Sequence, residues 1–145
     1  MTQDSGAAFV FGLAVAGRAV ASSLRERGID VVLSDDKLTD EHSAFAQSIG
    51  AQVVNIAQDG QLQRVMSAVN MLSPAPGVPE NHTVIRSAHD HGVSIQSEIE
   101  ISYRMEQLRS DGPRPMVAVT GTDGKTTTTL LVNAILRTAG LRSEA

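Results

Sequence analysis

The chain has 145 residues, 41% of them hydrophobic and 19% charged, with 12 glycines and 5 prolines. That composition belongs to a globular domain that buries roughly two-thirds of its unfolded surface, and it excludes collagen-like and disordered chains. Twelve Lys+Arg against sixteen Asp+Glu leave a net charge of −4 with no basic block, so nucleic acid is not an expected partner. Cysteine is absent and aromatic residues are 3%, which removes disulfides, thiol nucleophiles, Cys-ligated zinc and base-stacking platforms. No apolar run approaches the ~18 residues of a membrane span, so the expectation is a cytoplasmic protein without membrane contact.

Along the chain, short apolar runs alternate with amphipathic stretches that end in glycine, the pattern of βα units. Ala8–Phe11 predicts a first strand and Arg18–Arg27 a helix, with Gly28 past its end. Val31–Leu33 predicts a second strand, closed by Ser34-Asp35-Asp36-Lys37, and 40–49 a helix stopped by Gly50. Gln52–Asn55 reads as a short strand, Gln61–Val69 as a helix and Met71–Ser73 as a strand running into Pro74-Ala75-Pro76-Gly77-Val78-Pro79. Three prolines in six residues forbid helix interior and central strand, so this is a rigid loop at a strand end. Glu80–His91 predicts a helix ended by Gly92, and Val93–Gln96 a strand. Ser97 and Glu100 have capping-box spacing and open a helix to about Leu108.

A polar segment with two prolines, Arg109 to Pro115, is the natural domain boundary. Beyond it, Met116–Val119 predicts a strand and Lys125–Ala139 a helix closed by Gly140. The fold class implied is α/β: a Rossmann-like, mostly parallel sheet flanked by helices, followed by one strand–loop–helix unit. Its ligands belong at the C-terminal ends of the strands.

Two loops carry the chemistry. Gly121-Thr122-Asp123-Gly124-Lys125-Thr126-Thr127 stands between an apolar strand and a helix. Phosphate binding needs bare glycine backbone, a helix N-terminus, a lysine for the β/γ-phosphates and a hydroxyl for Mg²⁺, and all four are present. The spacing differs from the common phosphate loop, with two residues between the glycines instead of four. The second loop, Gly12-Leu13-Ala14-Val15-Ala16-Gly17, is a dinucleotide-type fingerprint whose middle glycine is Ala14. Asp35 ends the second strand 18 positions after Gly17, near the separation of a ribose-binding acid, and a tight βα turn with no ligand explains the same residues. A carboxylate there accepts hydrogen bonds from a ligand, so Asp35→Ala is expected to weaken binding and leave folding intact. The four histidines lack metal-ligand spacing; His42, His82, His89 and His91 read as solvated or capping residues. Glu100 is accounted for by the capping box.

The Gly121–Thr127 loop resembles the nucleotide loop of the Mur ligases, Gly-Thr-Asn-Gly-Lys-Thr/Ser-Thr, which has the same two-residue gap. Within that family the N-terminal fingerprint, the acidic end of the second strand, Ala75-Pro76-Gly77-Val78-Pro79 and Glu98-Ile99-Glu100 are similar to the D-glutamate-adding branch. The resemblance runs from Phe9 to about Gly140, the first part of a three-domain enzyme. It implies residues 1–112 as a UDP-substrate-binding domain and 113–145 as the incomplete start of the central ATP-binding domain. Val15, Ala16, Asp35, Asp36, Lys37, Pro76 and Gly77 would then line the UDP-substrate pocket. Gly121, Thr122, Asp123, Gly124, Lys125, Thr126 and Thr127 would bind ATP, with Lys125 catalytic on the phosphates and Thr126 on Mg²⁺. The implied substrates are UDP-N-acetylmuramoyl-L-alanine, D-glutamate and ATP, joined through an acyl phosphate. Ala16, Ala75 and Asp123 depart from the family pattern, where a hydroxyl residue, serine and asparagine are usual. No acidic residue except Glu144 follows Lys125, so the chain is expected to be an inactive fragment. Another Mur ligase, a folylpolyglutamate synthase, a nicotinamide-dependent dehydrogenase and a non-catalytic nucleotide-binding module are the alternatives.

Overall fold

A computed structural model describes residues 6–145. The chain divides into two compact units, one reaching to Arg109 and the other running from Ser110 to Ala145. The break falls inside the polar, proline-broken segment.

The first unit is a five-stranded, wholly parallel sheet in the order β3-β2-β1-β4-β5, built from β1 (Ala7–Phe11), β2 (Val31–Ser34), β3 (Gln52–Val53), β4 (Val69–Pro74) and β5 (Ser94–Ile95). Five helices connect and cover it: α1 (Val15–Glu26), α2 (Asp40–Ile49), α3 (Gln61–Ala68), α4 (Thr83–Asp90) and α5 (Glu98–Gln107). Both faces are buried, as parallel sheets require. Side chains alternate along β1, so Ala8 and Val10 join a core with Leu24, Leu33 and Ile101, while Phe9 and Phe11 join one with Met66, Leu72 and Val84. Phe9, Val10, Leu33 and Leu72 are fully buried, each a stabilisation of about 1.5–3 kcal/mol over an exposed side chain.

The helix ends follow their sequence signals in most places. Thr39 caps α2 through a hydrogen bond from the His42 N–H, and Gly50 ends it in the left-handed conformation. Ser97 accepts from the Glu100 N–H at the start of α5. The Glu100 carboxylate, however, accepts from Arg104 Nε at 2.6 Å, so only the serine half of the capping box is used as expected.

Two helices begin away from their expected positions. α1 starts at Val15, not near Arg18, because the Gly12 turn delivers the chain directly into helical geometry, with the Arg18 N–H on the Ala14 carbonyl at 3.0 Å. α4 starts at Thr83, not Glu80, because the His82 N–H closes a turn on the Pro79 carbonyl at 2.9 Å. The order 3-2-1-4-5 reverses direction at β1 and β4, whose following loops diverge and open a crevice at their C-terminal ends.

The second unit contains α6 (Lys125–Thr138). The expected strand at Met116–Val119 does not form: these residues belong to no sheet, and Met116 and Val117 are exposed. A strand is stable only against a hydrogen-bonded neighbour, and none exists for it among the described residues. α6 has no buried residue, and Leu130, Leu131 and Ile135 are exposed.

Candidate functional site

The crevice is organised around the backbone of one residue, Leu13. Gly12 has φ +93°, and a Cβ there would lie 2.6 Å from the Ala75 Cβ, so only glycine lets the β1 turn pass the β4 loop. Gly17 has no room either, since a Cβ would overlap the Gly12 carbonyl oxygen. These are the tight-turn and helix-packing roles of the fingerprint's outer glycines.

Between them, the Leu13 N–H donates to Asp35 Oδ2 at 2.7 Å and the Leu13 carbonyl accepts from Arg18 Nε at 2.8 Å. Arg18 also pairs with Glu41 at 2.7 Å and stacks over Phe45, tying α1 to α2. The hydrogen bond from Arg18, then its charge, hold the Glu41 carboxyl below its ordinary pKa.

Asp35 is therefore a structural clamp as well as a candidate ligand group. Its other oxygen accepts the Lys37 N–H at 3.0 Å, so the carboxylate joins the β1 turn to the β2 turn. Each oxygen retains a second lone pair for a ligand donor. The expectation that Asp35 is dispensable for folding is accordingly revised.

Two concavities lie in this unit. A shallow groove is lined by Ala16, Gly17, Ser73, Ala75, Pro76 and Glu98. A deeper pocket of about 160 Å³ is lined by Asp35, Asp36, Asn55, Ile56, His82 and Thr83, among others. Thus Ala16 and Pro76 share one depression, and Asp35 and Asp36 the other. Val15 is 87% exposed as the first residue of α1, and Lys37 and Gly77 are exposed in loops at the same C-terminal edge of the sheet. Gly77 has nothing within 4 Å of where a Cβ would stand and no positive φ, so the fold does not demand glycine there.

Asn55, His82, Thr83 and Glu98 complete these surfaces and were not singled out as site residues from sequence. Glu98 did stand within the quoted Glu-Ile-Glu motif. The others lie 20 or more residues from Asp35 in sequence, and no local pattern marks them.

In the second unit, Gly121 (φ +153°) and Gly124 (φ +74°) bound the loop, and Gly124 is the N-cap of α6 without a side-chain cap. The first-turn N–H groups of α6 therefore face no capping side chain, which is the arrangement an anion accepts. Lys125 Nζ folds back on the Gly121 and Thr122 carbonyls at 2.6 and 3.1 Å. Asp123, Thr126 and Thr127 are exposed on the same loop and first turn. The donor set fits a polyphosphate. Among the described residues no three His, Cys, Asp or Glu side chains cluster to hold a metal ion.

No family model matches the chain. It is 34% identical over 139 residues to a UDP-N-acetylmuramoylalanine–D-glutamate ligase of Protochlamydia amoebophila, covering 95% of this chain and 30% of that protein. A ligase of the same name from Rippkaea orientalis is 33% identical over 137 residues, covering 94% of this chain and 29% of that one. Over the stretch it spans, the chain is similar to the N-terminal part of these ligases. It spans about 30% of the length of these relatives. A murein peptide ligase from Psychrobacter arcticus shares the fold, with a TM-score of 0.59 at 22% identity, covering 93% of this chain and 27% of that one. The two-residue gap between Gly121 and Gly124, anomalous for a common phosphate loop, thus stands in a chain that is similar to Mur ligases over nearly its whole length and whose first unit is Rossmann-like.

Proposed function

We propose that this chain provides the UDP-substrate-binding domain and the nucleotide loop of an ATP-dependent ligase that adds D-glutamate to UDP-N-acetylmuramoyl-L-alanine in peptidoglycan precursor synthesis. The observation that carries the proposal is the assembly of the Gly12 turn, Asp35-Asp36 and the Pro76 loop at one edge of the sheet, in a chain resembling such ligases along nearly its whole length.

In this reading Asp35 and Asp36 accept hydrogen bonds from the UDP portion, while Val15, Ala16, Pro76 and Gly77 contact it and Lys37 offsets phosphate charge. ATP would lie on the uncapped start of α6, against the backbone of Gly121, Thr122, Asp123 and Gly124 and the first-turn N–H groups through Thr127. Lys125 would leave two neutral carbonyl acceptors for anionic phosphate oxygens, which form stronger hydrogen bonds. Mg²⁺ would be held by phosphate oxygens and water with the Thr126 hydroxyl, and when bound it neutralises charge on the transferring phosphoryl group. The reaction of the full-length enzyme transfers that phosphoryl group to the L-alanine carboxylate. The D-glutamate amine then attacks the acyl carbon and phosphate leaves. Lys125 and the loop N–H groups contribute by positioning and charge stabilisation.

The competing reading, a nicotinamide-binding domain, is favoured by the shared strand order and the Gly12–Gly17 turn. Ala14 weakens it, because its methyl group stands where the fingerprint glycine lets a pyrophosphate approach. Calorimetric titration of the chain with UDP-N-acetylmuramoyl-L-alanine and with NADH separates them. The muramoyl nucleotide is expected to bind more tightly; tighter NADH binding refutes the proposed substrate.

A further inference from the structure

His82 belongs to no residue set so far given a role toward substrate, yet three contacts immobilise it. Its Nδ1 accepts the Val84 N–H at 3.2 Å and so caps α4. A ring nitrogen that accepts a hydrogen bond carries no proton, so the imidazole proton resides on Nε2. Nε2 lies 3.3 Å from Asp36 Oδ1 and donates to it. The ring also packs on Phe11, with centroids 4.9 Å apart and planes inclined by 39°; Phe11 is the buried last residue of β1. The His82 side chain is 19% exposed while that of Asp36 is 69% exposed. The less mobile partner thus directs the more mobile one, across 46 positions of sequence.

We propose that His82 is a positioning residue: through Nε2–H it holds the Asp36 carboxylate at the mouth of the pocket formed with Asp35, Asn55 and Thr83, ready to accept an imide N–H or hydroxyl of a nucleoside diphosphate. The inference rests on the assignment of this sheet edge to the UDP-bearing substrate. An exposed carboxylate samples several rotamers, and fixing one before the ligand arrives removes that ordering cost from binding. The helix cap explains why the anchor is rigid, since an imidazole held at Nδ1 presents Nε2 in one direction only.

Two substitutions separate the cap from the positioning. Asparagine keeps a short acceptor in the place of Nδ1, and is a good N-cap, but does not reach Asp36. Glutamine extends an amide N–H towards the place of Nε2 and gives up the cap. UDP-N-acetylmuramoyl-L-alanine is titrated into the 145-residue chain carrying His82→Asn, His82→Gln, Asp36→Ala and the double change His82→Asn/Asp36→Ala. His82→Asn is expected to melt as the wild type but bind about fivefold more weakly, the loss of one hydrogen bond. His82→Gln is expected to melt lower and bind close to wild type. His82→Asn should add nothing to Asp36→Ala. Wild-type affinity in His82→Asn, or an equal further loss in the double variant, overturns the role of His82. If the wild type itself binds no muramoyl nucleotide, the assignment of the sheet edge fails first and the inference with it. Should His82→Asn fail to fold, imidazole ¹⁵N spectra decide: the wild type must show the Nε2–H form, and Asp36→Ala must shift the Nε2 resonance. An unchanged resonance overturns the contact.

Discussion

Asp35 shows how one side chain ties two turns together at a proposed ligand site. Its two oxygens take the Leu13 and Lys37 N–H groups, and Arg18 holds the Leu13 carbonyl, in the next peptide group. The loop that would face a nucleotide is therefore rigid before any ligand binds, which lowers the ordering cost of binding. Removing the carboxylate leaves the Leu13 N–H without its acceptor, and an unmade hydrogen bond at a partly buried donor costs about 1–3 kcal/mol. Asp35→Ala is thus expected to lower stability in urea denaturation by that amount, and Asp35→Asn, which retains one acceptor oxygen, by less. Equal stability of Asp35→Ala and wild type would show the clamp to be without weight. Ligand titrations are best read on Asp35→Asn, where the turn keeps a tie.

Elements were legible where local chemistry decides them. Gly28, Gly50, Gly92 and Gly140 all adopt positive φ at or just beyond helix ends, as their positions after amphipathic stretches suggest, and α2 spans the expected residues. Non-local facts were not legible. The unpaired 116–119 segment has strand composition but no partner strand, and α4 begins at a histidine cap, which is not among the residues that usually signal a helix start. The site divides the same way: Gly12, Asp35 and Lys125 stand out in sequence because spacing marks them, whereas His82 meets Asp36 only through the fold. The α1–α2 tie is another non-local product, and it titrates. Arg18 depresses the Glu41 pKa in the folded state, so the pair's contribution is complete above the unfolded glutamate value and is lost as pH falls through the lower, folded one. Melting temperatures of wild type and Glu41→Gln are expected to differ at neutral pH and to converge on acidification below the ordinary glutamate range. A gap that persists undiminished there would mean that charge is not what ties these helices.

At the scale of the whole chain, net charge sets the background against which the proposed phosphate-bearing ligands would bind. The chain carries −4, which opposes any polyanionic ligand, and its twelve basic residues comprise ten arginines and only two lysines, Lys37 and Lys125. Both lysines stand in, or directly after, the loops proposed above for phosphate-bearing ligands. A compact ammonium suits that place, as a point charge that swings between acceptors where a planar guanidinium would demand a paired geometry. Lys125 donates to the Gly121 and Thr122 carbonyls, and Asp123 beside it adds an anion where the Mur ligase loop that this segment resembles has a neutral amide. Exposed charges act over about a Debye length, so both residues should affect ATP, in opposite directions and more strongly at low salt. Titration with Mg·ATP at two ionic strengths is expected to show Lys125→Ala about tenfold weaker than wild type, the loss of a charge-assisted hydrogen bond, and Asp123→Asn tighter. Both differences should shrink as salt is raised. Unchanged ATP affinity in Lys125→Ala would remove the lysine from the phosphate site, and weaker binding in Asp123→Asn would mean that the carboxylate serves the ligand, as a metal or water acceptor would, instead of repelling it.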